Sequence, residues 1–85
     1  MTLEVFVERQ IEPSKYLAII GNPTSRDPRY FIGLEYAVDG GARVVKLLPA
    51  SSPKSLSVSE AIDYYHSIHS EEEFDKECER VKKLH

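Results

Sequence analysis

One cysteine, one methionine and no tryptophan stand in a chain of 85 residues. Cys78 alone can close neither an internal disulfide nor a cysteine-rich zinc site, and a reduced, cytoplasmic setting is the expectation. Glycine is equally sparse. Gly21 lacks the second glycine and the Lys-Ser/Thr pair that would cradle a nucleotide phosphate, which excludes a P-loop. The longest unbroken apolar stretch, Tyr16 to Ile20, falls far short of the ~20 residues a membrane span requires. The opening MTLEVFVERQ has no basic segment ahead of an apolar core, so no secretion signal is expected.

Charge of one sign is also lacking overall, but its distribution is uneven. Residues 1–55 carry seven Lys/Arg against six Asp/Glu, a net of +1, whereas residues 56–85 carry four against eight, a net of −4. Acidity therefore gathers in the C-terminal third. No segment has the clustered cations that tracking a phosphate backbone demands. A 9.7 kDa chain is one domain. Surface scaling gives it roughly 5,100 Å² exposed when folded against roughly 14,000 Å² unfolded, a thin core that a partner chain would reinforce.

Hydrophobic periodicity supplies the architecture. Residues 3–11, LEVFVERQI, alternate with period two: Leu3, Val5, Val7 and Ile11 on one face, Glu4, Glu8 and Gln10 on the other. EPSK (12–15) is a turn. YLAIIG (16–21) is apolar on both faces and reads as an inner strand. RYFIGLEYAV (29–38) alternates again, and DGGA (39–42) supplies the positive φ angles of a hairpin turn before RVVKLLP (43–49). The linker ASSPKSL (50–56) follows. The period then changes. Ser57 and Glu60 form a capping box ahead of Val58, Ala61, Ile62, Tyr65 and Ile68 at helical spacing, and Ser70 with Glu73 form a second box ahead of Phe74, Cys78 and Val81. Two helices, 57–68 and 71–84, are expected, with one long bent helix as the alternative. The predicted fold is one α+β domain over 1–85: a four-stranded antiparallel meander (1–49), a linker and two C-terminal helices (57–85), ββββαα in two layers.

Four features could carry function. The loop NPTSRDPR (22–29) is stiffened by two prolines and presents Arg26, Asp27 and Arg29; either Asp27 clamps an arginine, or the guanidinium groups anchor a partner. His66 and His69 share a helix face near Glu73, but the HExxH spacing is missing and no metal site is expected. Cys78 sits between Glu77 and Glu79, which raises rather than activates a thiol, and no cofactor or catalytic set is apparent. Finally, strand 16–21 is apolar on both sides while the helices cover one face. Ala18 and Ile20, extended by Phe6 and Phe31, then form an uncovered patch that a second copy would bury. A non-enzymatic, homodimeric protein–protein interaction module is the leading expectation. A small nucleic-acid-binding or RNA-processing module using the loop arginines and the sheet is the alternative.

Overall fold

A computed structural model describes residues 4–22, 26, 28–49 and 55–83. Strands β1 (Glu4–Glu12), β2 (Lys15–Gly21), β3 (Tyr30–Val38) and β4 (Gly41–Leu48) form one sheet in the order β1-β2-β3-β4, each antiparallel to its neighbour. Helices α1 (Val58–Ser67) and α2 (Glu71–Lys83) follow, giving the two-layer α+β arrangement. The turns are local in origin. Ser14 takes φ 62° between β1 and β2, while Gly40 at φ 88° and Gly41 at φ 148° bring β3 back as β4.

Ser57 starts α1 as its side chain accepts from Glu60 N at 3.2 Å, while Glu60 Oε1 accepts from Ser57 N at 3.0 Å. Ile68, at φ −91° and ψ 123°, is extended and ends the helix, so two helices form rather than one bent one. At the second start, Ser70 Oγ accepts from Glu73 N at 3.2 Å.

The core lies between the sheet and the helices. Leu17, Ile19, Ile32, Leu34 and Leu48 from the strands pack with Leu56, Ala61, Ile68 and Phe74. Leu56 is not linker: it exchanges backbone hydrogen bonds with Tyr30 at 2.9 and 3.3 Å and is buried. The remaining linker residues 50–54 lie outside the described residues.

Two expectations about faces are corrected. The apolar stripe of α1 is rotated. Ala61 and Ile68 are buried with Tyr64 and Tyr65 beside them, whereas Val58 and Ile62 remain 52% and 43% exposed. Strand β1 does not alternate cleanly either. Val5 pairs with Ile20 and Val7 with Ile19, so Phe6 is an extra residue, a bulge, and Val5 and Val7 fall on opposite faces. A second register shift in β1, between Gln10 and Glu12, leaves Ile11 as an extra residue, and a third, between Leu34 and Glu35, bulges β4 at Val45.

Candidate functional site

The face of the sheet turned away from the helices carries Ala18 and Ile20 of β2, Phe31, Gly33 and Glu35 of β3, Val5 and Glu8 of β1, and Val44 and Leu47 of β4, as the register requires. Ala18, Ile20 and Phe31 are thus brought together, as the sequence suggested. Ala18 and Ile20, however, are already 0% and 4% exposed in the single chain. The Ile20 side chain folds into the space that a Cβ on Gly33 would occupy. The middle of this face covers itself, while Val5 and Val44 at its margins stay 50% and 40% exposed.

Phe6 is elsewhere. Its ring stands 5.7 Å from that of Tyr30 and over Gly21, on the helix side, because the bulge turns it there. There it joins a different surface. Of the eight large apolar side chains most exposed among the described residues, five lie on β1 or α1: Val5, Phe6, Val7, Val58 and Ile62. Helix α1 is oriented by its two tyrosines. Tyr65 lies under the Arg9 guanidinium of β1, 5.1 Å from the ring centre, whereas the Tyr64 hydroxyl accepts from Arg80 of α2 at 2.8 Å. Val58 and Ile62 share the Tyr65 side of the helix, and therefore flank the β1 edge. Phe6 against Tyr30, and Tyr30 bridged to Leu56, set the start of α1 beside Phe6.

Arg9 fixes this geometry. Its Nη2 donates to the carbonyls of Tyr65 and of Ile68, the latter at 2.8 Å, capping the end of α1 where the helix dipole favours a cation. Its Nε is buried without a hydrogen-bond partner. The strand pattern placed no value on Arg9, because a single cation in an alternating strand has no mark that distinguishes a cap from a solvated side chain.

Polar groups elsewhere are mostly committed to holding the fold. Glu71, at the start of α2, takes Lys15 at 2.8 Å, Lys46 at 2.9 Å and the Tyr36 hydroxyl at 2.7 Å, while its own amide donates to Glu12 Oε2 at 2.7 Å. Hydrogen bonds from Lys15, Lys46 and Tyr36 hold its carboxyl down at about 2. On the open face, burial comes first in raising Glu35 to about 7, followed by a hydrogen bond to Glu8 and the Glu8 charge. Glu35 Oε1 has no hydrogen-bond partner.

The remaining sequence candidates are dispersed. Arg26 and Arg29 are exposed in the loop after β2, and Asn22 N donates to Arg29 O at 3.3 Å; Asp27 lies outside the described residues. His69 N donates to Glu73 Oε1 at 2.6 Å, and the His69 ring meets the Arg9 cation at 3.5 Å, an arrangement hostile to a bound metal. Among the described residues no group of three or more His, Cys, Asp or Glu side chains could hold an ion. The Cys78 thiol is half-buried and raised, first by burial and then by Asp75. No helix among the described residues is long and apolar enough to cross a membrane. The chain matches no family model, no curated protein and no solved structure.

Proposed function

We propose that this chain is a non-enzymatic protein–protein interaction module that works as a homodimer, and that its contact surface is the β1 edge with the adjoining flank of α1. One observation carries this reading. Phe6 and Val7 of β1 and Val58 and Ile62 of α1 are each 42–52% exposed and lie on the helix side of a strand whose outer edge pairs with no other strand among the described residues. Together they leave on the order of 300 Å² of apolar side chain uncovered, the size of a monomer's largest apolar patch, which is often functional. The thin core expected of so small a chain points the same way.

Arg26 and Arg29, exposed at the far end of β2 and β3, are the proposed polar anchors for a further protein partner. A nucleic-acid module ranks second. Its arginines sit beside a sheet face whose middle holds the Glu8–Glu35 acid pair, which repels phosphate.

Light scattering on the separated protein tests the reading. A dimer that Phe6→Glu or Ile62→Glu reduces to monomer, and that Val38→Glu at the distant hairpin leaves intact, supports it. A dimer indifferent to Phe6→Glu and Ile62→Glu moves the interface elsewhere.

A further inference from the structure

Resting on the homodimer reading, we infer that two copies join edge to edge, β1 against β1, antiparallel about Val7, so that their four-stranded sheets become one continuous sheet. The outer edge of β1 is nine residues long and, among the described residues, pairs with no other strand. Bulges and charges commonly blunt such an edge. Here the bulge does something else: it puts Phe6 on the same side of the sheet as Val7, the side on which α1 exposes Val58 and Ile62. The edge gains an apolar wall on its helix side. The opposite edge strand, β4, also bulged, shows Val44 and Val45, and among the described residues α2 beside it adds no exposed large apolar side chain.

The occupant follows from how β1 complements itself. Residues opposed in an antiparallel pair point to the same face. With Phe6 bulged, face-matching about Val7 sets Val7 against its own copy, Glu8 against Val5, and Arg9 against Glu4. Each side of the two-fold axis then opposes a cation to a carboxylate, and no glutamate faces a glutamate. Pairing about Glu8 would instead oppose Glu8 to itself and Glu4 to Glu12, a destabilising arrangement. The isologous contact about Val7 closes at two copies and grows no further.

The experiment is cross-linking of the full chain with a short bismaleimide, in a Cys78→Ser background so that position 78 does not react. Val7→Cys is expected to give a covalent dimer in high yield, while Phe31→Cys on the open face and Val45→Cys on the opposite edge give little. Glu4→Arg should weaken self-association at least tenfold, and Glu4→Gln by less. A native dimer that cross-links through Phe31→Cys but not Val7→Cys overturns the edge-to-edge arrangement and leaves the homodimer standing. A Cys78→Ser chain that remains a monomer throughout, like the native one, overturns both.

Discussion

Ile20 Cδ1 occupies the position that a side chain on Gly33 would need, one strand across on the open face of the sheet. This relationship explains how an inner strand can be apolar on both sides in a chain whose helices cover only one. The missing Cβ at Gly33 is filled by a neighbour, and Ile20 falls to 4% exposed without help from another molecule.

Gly33→Ala or Gly33→Val must therefore push Ile20 out of its place. Overpacking of this kind costs about 1–3 kcal/mol, and roughly 4–24 °C in melting temperature for a domain of this size. Thermal denaturation followed by circular dichroism measures it. Ile20→Val in the Gly33→Ala background should recover part of the loss, because it removes the Cδ1 that clashes.

The four-strand, two-helix order and most element limits were legible because each rests on local chemistry. Period-two alternation marks β3, a short run apolar on both faces marks β2, the glycine pair marks the last hairpin, and Ser57 with Glu60 marks the start of α1, where both reciprocal bonds form. Long-range features were not legible. A bulge adds a residue with no compositional sign of its own, so Phe6 was assigned to the wrong face. Ile20 and Gly33 are separated by thirteen positions in sequence, and their interlock depends on register. Leu56 looked like linker because a lone leucine between serines has no periodicity, although it pairs with Tyr30. The candidate contact edge inherits these hidden terms, since it exists only because β1 bulges and α1 is rotated.

Stability should peak on the acid side of neutrality, because two carboxyls pull in opposite directions. Glu35 is raised from its ordinary 4.5 to about 7, so its contribution is fully present below pH 4.5 and is lost as pH rises through 7. Glu71 is lowered from 4.5 to about 2, so its contribution is present above pH 4.5 and is lost as pH falls through 2. Melting temperature against pH should show a maximum near pH 5. Glu35→Gln should flatten the neutral limb, and Glu71→Gln the acid limb. A maximum at pH 8 in the native chain would contradict the Glu35 assignment, and an acid limb unchanged by Glu71→Gln would contradict that of Glu71.

Glu71 also tethers α2 to the sheet through Lys15, Lys46 and Tyr36. At neutral pH, Glu71→Gln weakens three charge-assisted contacts at a partly exposed site, at an expected cost of about 1 kcal/mol. Hydrogen exchange should show the larger effect in the first turn of α2 and little in β1. Uniform loss of protection would mean that α2 does not open separately.

Arg9→Met keeps the stem but removes the cap on α1 and the charge over Tyr65. A loss of about 1–2 kcal/mol is expected from the unmet carbonyls of Tyr65 and Ile68. Arg9→Lys should recover less than half, since the shorter stem carries its ammonium short of the Nη2 position and brings no planar group over Tyr65.

The central claim is self-association through the β1 edge, and sedimentation equilibrium of the native chain beside Phe6→Glu tests it most directly. Across the low to high micromolar range the native chain should approach twice its 9.7 kDa mass, while Phe6→Glu stays at the single value and retains its circular dichroism spectrum. A native chain that sediments at 9.7 kDa at every concentration contradicts the account.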